Sequence, residues 1–279
     1  MFTLLGLLAL VVLFAGSVSR VVPIRMGRQA DGSFLVSSGQ RVEGGSIAFN
    51  GRPIDLAMHP REPLFAVLNK AEVFLVDPAG ARVGHRAALF TMEGETGAGF
   101  RGLVWSPDGT RLFASTARGH VQGFTYRAGA LKAAARIRVQ PEGASGNPVP
   151  GGMAITRDGS RLFVAAANRN AVAEVDLATD RRVREYPVQT LPYEPRLSED
   201  ERTLIVSNWG GRLPGPGDRT SKSQDLQIVV DERGAPASGT VSLIDLTTGA
   251  TRHVEVGIHP TAIAVKGGFA YVANAMSDS

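Results

Sequence analysis

Five histidines, His59, His85, His120, His253 and His259, are the residues best able to bind a metal or carry a proton, and they are scattered over the 279-residue chain. His59 sits in a turn and His259 precedes a strand that opens at Pro260; only these two lie at comparable repeat positions, one residue out of phase. There is no cysteine, which excludes thiolate nucleophiles, disulfides and Cys-ligated zinc. Gly97, Gly99 and Gly102 have the spacing of a dinucleotide fingerprint, but they lead into the strand-like Leu103-Val104-Trp105. Without a helix N-terminus there is no row of amides to hold a pyrophosphate. No Gly-x-Ser-x-Gly, P-loop or His-Glu-x-x-His pattern occurs. The residues therefore predict no complete catalytic set, no cofactor and no metal site, and direct attention to binding.

The binding candidates cluster near an insertion over residues 209–238. Asn208, Trp209, Arg212 and Arg219 stand at its start, in a stretch whose Gly210, Gly211, Pro214, Gly215, Pro216 and Gly217 exclude regular structure there. Gln227 to Asp231 reads as a short added strand. Trp209 is the exposed aromatic expected to make a contact, whereas Trp105 reads as core. With His59 and His259, these six residues form the candidate ligand or partner surface. Asn69, Asn168, Asn208 and Asn274 end strands at matching places, where asparagine's tolerance of left-handed conformations gives a structural reason for them.

The elements that must position these residues repeat. Segments opening at residues 53, 100, 150, 192 and 260 each carry a short apolar strand, a turn, and a second apolar strand. Ser106-Pro107-Asp108-Gly109 is a type I turn signal, with Pro in the second position and Gly in the fourth. A third strand follows, as in residues 171–176 or 240–245, and a fourth, as in 182–188 or 251–256. The spacing between Asn208 and Asp245 exceeds that between Asn168 and Asp176 by 29 residues, which locates the insertion. Four strands at a period of ~40–50 residues describe one blade of an all-β, WD40-like β-propeller. A β-sandwich would also show short strands and turns, but not the same turn chemistry repeated in phase.

The cycle of Ser106–Gly109, Arg161–Asn168, Thr240–Gly249 and Tyr271-Val272-Ala273-Asn274 resembles the YVTN-repeat (YncE-like) β-propeller family over residues 31–279. The stretch from Asp31 to Arg41, with Ser207–Arg212 and the Pro214–Thr220 insertion, is similar to the propeller half of bacterial proteins that fuse such a propeller to an alkaline-phosphatase-like phosphoesterase. That resemblance implies metal-binding catalytic residues in a second domain, to which nothing here corresponds. The sequence contains about five blades of a ring expected to have seven. It is expected to be an incomplete reading of a longer protein, or an arc that closes by self-association.

Residues 1–19 read as a signal peptide or membrane anchor, since Phe2 to Ala15 is an apolar run too short to span a bilayer comfortably. Residues 20–279 form the propeller. The expected location is periplasmic or extracellular, with any membrane contact made through the N-terminal segment alone. The net charge of +4 is modest and arises mostly from arginine, as there are only four lysines. With four Tyr and two Trp, the stacking platform that single-stranded nucleic acid needs is thin. The leading expectation is an exported, non-catalytic interaction module whose partner is a protein or its own C-terminal domain. A nucleic-acid-binding periplasmic propeller and a lactonase-like propeller hydrolase are the alternatives.

Overall fold

The computed structural model describes residues 26–36, 39–42, 47–89 and 97–277. It divides into two compact units, residues 1–46 and 47–279. The expected leader, Phe2–Ala15, lies outside the described residues. In the first unit, β1 (Gly27–Arg28), β2 (Phe34–Leu35) and β3 (Arg41–Val42) form an antiparallel meander. Asp31 closes its first turn by accepting from Ser33 N and Oγ at 3.0 and 2.6 Å, and it ion-pairs with Arg41.

The second unit is a β-propeller. Its first blade consists of β4 (Asp55–Met58), β5 (Phe65–Asn69), β6 (Glu72–Asp77) and β7 (Arg82–Ala88). The second has β8 (Ala98–Trp105), β9 (Arg111–Thr116), β10 (His120–Arg127) and β11 (Ala130–Arg138). The third has β12 (Pro150–Ile155), β13 (Arg161–Ala166), β14 (Ala171–Asp176) and β15 (Arg181–Pro187). The fourth begins with β16 (Pro192–Leu197) and β17 (Thr203–Asn208). It is interrupted by a hairpin, β18 (Thr220–Ser223) and β19 (Leu226–Val229), and is completed by β20 (Gly239–Asp245) and β21 (Thr251–Val256). A fifth sheet contains β22 (Pro260–Lys266) and β23 (Phe269–Asn274). Each sheet is antiparallel, and the inner strands β4, β8, β12, β16 and β22 lie side by side in that order.

Period-2 alternation sends successive side chains to opposite faces of each blade. Leu112 of β9 therefore packs with Leu68, Leu75 and Trp105 against the first blade, while its neighbour Phe113 packs with Met153, Leu162 and Val164 towards the third. Phe163 repeats the step, meeting Tyr186, Leu204 and Ile244. Ile205 and Val241 continue it against Ile263 of β22. Trp105 is core as expected, and its indole N–H donates to Ala57 O at 3.1 Å.

The turn between the first two strands of a blade is built the same way three times. Asp108 accepts from Ser106 Oγ at 2.5 Å and Thr110 N at 3.0 Å, and Arg111 N donates to Ser106 Oγ at 2.9 Å. Thr156, Asp158, Ser160 and Arg161 repeat this pattern, as do Ser198, Asp200, Arg202 and Thr203. The hydroxyl donors hold Asp108 and Asp158 down to about 2. A carboxylate depressed on folding stabilises the protein above its ordinary value and loses that contribution as pH falls through the depressed one. Melting temperature is therefore expected to drop between pH 4 and pH 2. The Asp108→Ala variant, about 1 kcal/mol less stable at neutral pH for its lost hydrogen bonds, should show a shallower drop. An unchanged acid slope would reject this role for Asp108.

Candidate functional site

The inner strands bring charged side chains from three blades to one place. Glu194 of β16 is only 2% exposed, and its carboxylate lies 2.5 Å from Arg101 Nη2 and 2.5 Å from Arg196 Nη2. Arg101 comes from the second blade and also lies over the Tyr193 ring, 5.4 Å from its centroid. Arg196 donates through Nε to Ile263 O of the fifth sheet at 3.2 Å. Asp55 of β4 accepts from Gly102 N at 2.9 Å. Burial pushes the Glu194 carboxyl above the usual carboxylate range; the two guanidiniums oppose the shift, and the Asp55 charge adds to it.

Arg101 reaches the fourth blade because the third places no side chain in between. At that level β12 is Gly151-Gly152, and a Cβ on Gly152 would stand 2.6 Å from Tyr193 O. The backbone is shaped for this convergence. Register shifts interrupt β8 between Ala98 and Leu103, β12 between Pro150 and Met153, and β16 between Pro192 and Glu194. Such bulges re-aim side chains at the start of a strand. Val149, Leu191 and His259, each directly before the proline that opens an inner strand, have φ of 48°, 54° and 53°. These are left-handed conformations that a branched residue adopts only under constraint from its surroundings.

A cavity of about 390 Å³ adjoins the charged cluster, lined by Phe100, Arg101, Leu191, Tyr193, Trp209 and Gln224. The inserted hairpin covers one side: Ile228 and Val230 pack on Val149, Ala167 and Leu191, and Asn168 Nδ2 donates to Asp225 Oδ2 at 3.1 Å. Residues 210–217 are irregular as expected, and the strand expected from Gln227 forms as β19.

The six residues singled out from sequence lie in different settings. Trp209 and His259 come together, their rings stacked at 3.8 Å and 16°. Trp209 is half-buried and lines the cavity. His259 is buried, and desolvation lowers its pKa, so the imidazole is held neutral. Asn208 is buried and donates to Thr240 O, Thr240 Oγ1 and Ser242 Oγ at 3.3, 3.2 and 2.9 Å, fixing β17 to β20. Arg212 forms a two-point pair with Asp218 at 2.6 and 2.6 Å, stapling the insertion to itself and holding Asp218 down to about 2. Arg219 is exposed.

His59 needs a correction on its place in the repeat. It follows the inner strand β4, whereas His259 precedes β22, so the two are at opposite ends of their strands. His59 occupies the position of Ser106. Its Nδ1 accepts from Arg61 N and Glu62 N at 3.2 and 2.9 Å, and Nε2–H donates to Gly109 O at 3.0 Å. The imidazole thus does in the first blade what a hydroxyl and a carboxylate do in the next three, closed off beneath Trp105 and Tyr126.

Asp55, Arg101, Glu194 and Arg196 were not singled out from sequence. A signal was present: Asp55 and Glu194 occupy the same repeat position, which Gly102, Gly152 and Ala262 fill in the other blades. Among the described residues, no three His, Asp or Glu side chains gather as metal ligands.

Residues 70–213 match the family model described as lactonase, 7-bladed β-propeller. Arg101, Glu194, Arg196 and Trp209 fall within the match, and Asp55 outside it. Among solved structures, a chain of the Kuenenia stuttgartiensis hydrazine synthase is similar with a TM-score of 0.56 and 17% identity, over 80% of this chain and 55% of that one. The periplasmic gluconolactonase PpgL of Pseudomonas aeruginosa is similar with a TM-score of 0.55 and 19% identity, over 82% of this chain and 64% of that one. At such identities the likeness is one of fold. The chain thus spans between about half and two thirds of the lengths of these two structures. No curated protein matches the sequence.

Proposed function

The chain belongs to the lactonase, seven-bladed β-propeller family, and from that premise we propose that it hydrolyses cyclic esters among the charges on its inner strands. The observation that carries the reading is Glu194, a buried carboxylate set between Arg196 and Arg101, the latter lining a ligand-sized cavity. Desolvation strengthens a carboxylate as a base by moving it towards the working pH. In this reaction Glu194 takes a proton from water as the oxygen adds to the ester carbonyl. Arg101 donates to the oxyanion, where a fixed cation is most effective in a site shielded from solvent. The ring C–O bond then breaks, the leaving oxygen takes the proton back from Glu194, and the product is the open hydroxy acid.

A second reading is favoured by the ion pairing of both Glu194 oxygens with arginines, which balances the buried charge without a ligand. On that reading the chain is a non-catalytic, exported YVTN-type binding module. It would be the propeller half of a phosphoesterase fusion, exported on its Phe2–Ala15 run.

The two readings part in a direct assay. Purified protein is added to five- and six-membered lactones in a pH-stat, and acid release is followed against the spontaneous rate. Hydrolysis proportional to protein concentration is expected. Background rates across the whole panel would reject the hydrolase and leave the binding module.

A further inference from the structure

The walls of the 390 Å³ cavity are apolar almost throughout: Phe100, Val149, Leu191, Tyr193 and Trp209 face it. Arg101 is the single charged side chain on its lining, and that arginine also holds Glu194. Cavities of this size enclose small organic ligands.

The chamber is preformed. Stacking on His259 fixes the Trp209 ring, and the hairpin is anchored by Ile228 and Val230, so Ser223 and Gln224 at its tip close one side. Val149 and Leu191 contribute to the wall from left-handed backbone, a strained conformation that their surroundings maintain.

A ligand with a hydroxyl on every carbon would lose water against these faces with few partners to replace it, which is unfavourable for each buried hydroxyl. A hydrocarbon arm would gain from the same burial. We infer that the cavity receives the apolar arm of an amphipathic organic acid, or of the cyclic ester that yields it, with the carboxyl or ester oxygen directed to Arg101. As a statement about substrate it rests on the hydrolase reading; as a statement about ligand class it stands on the cavity and Arg101.

Titration calorimetry of the full chain with butanoate, hexanoate, octanoate, decanoate and gluconate tests this without turnover. Affinity is expected to rise about fourfold per added methylene until the chamber is full, the ratio that corresponds to ~0.8 kcal/mol per buried CH₂. Gluconate should bind more weakly than hexanoate. Trp209→Ala, which enlarges the chamber, should move the optimum to longer chains. Ala167→Leu, also on the lining, adds volume there, should flatten the dependence on chain length, and covers the case in which the alanine variant fails to fold. Equal affinities along the series, or gluconate binding tighter than octanoate, would overturn the inference. Lactone turnover with a flat chain-length profile also overturns it and leaves hydrolysis standing, whereas the affinity ladder without turnover upholds it and removes hydrolysis.

Discussion

Glu194→Gln is expected to lower lactone hydrolysis by about 10²- to 10⁴-fold, the usual contribution of a positioned general base, without lowering stability at neutral pH. Gln has the shape of Glu but not its charge, and burial already favours the uncharged form of this carboxyl in the folded protein. The arginine side chains left without it are 26% and 45% exposed, so water solvates both. Urea unfolding should show an equal or higher midpoint at unchanged slope. A companion variant, Arg101→Met with Glu194→Leu and Arg196→Leu, removes the whole charged group. Replacing a buried ionic group by apolar residues is often neutral or stabilising, so it too should keep stability and lose activity. Hydrolysis at the parent rate in Glu194→Gln would remove this residue from the reaction.

The same carboxyl sets the expected pH behaviour. Its folded value is raised, chiefly by burial, so the folded protein holds this proton at pH values where the unfolded chain has released it. Its contribution to stability is full below the ordinary value of 4.5 and is lost as pH rises through the folded value. Activity that needs the ionised base moves the opposite way, rising through that same folded value.

The fold was legible because each blade is specified locally. The strand expected at 251–256 forms as Thr251–Val256, and those expected at 182–188 and 240–245 form within one residue at each end. A serine or threonine two residues before an aspartate closes the same turn in three successive blades, which marks the phase of the repeat. The site was less legible for a physical reason. Arg101 and Glu194 are 93 residues apart and meet only because the third blade has glycines at that level. No periodicity reports a side chain that is absent. His59 is ambiguous for the converse reason: an imidazole that can contact a ligand can also accept two backbone amides, as it does here, and nothing in its immediate sequence distinguishes the two uses.

Gly102→Ala is expected to be the most damaging single methyl addition near the site. Gly102 has φ +123°, a conformation closed to residues with a Cβ except at a cost of ~1–3 kcal/mol. The methyl would also stand 2.2 Å from Gly151 O and 2.3 Å from Ser115 Oγ. These two atoms form the hydrogen bond, 2.7 Å long, that fastens the second blade to the third. Forcing volume into such packing adds ~1–3 kcal/mol. Together these contributions approach the entire stability of a marginal domain, ~5–15 kcal/mol. Gly129→Ala is the control, with φ +81° and nothing within 4 Å of a new methyl group, so it carries the backbone contribution alone. Unfolding midpoints should order parent above Gly129→Ala and Gly129→Ala well above Gly102→Ala. Equal losses in the two variants would mean that the inter-blade contact contributes nothing. The consequence reaches the site, because Gly102 N is the donor to Asp55 and Arg101 is its chain neighbour. Backing away from Gly151 would displace both charged groups, so activity should fall further in Gly102→Ala than its folded fraction accounts for.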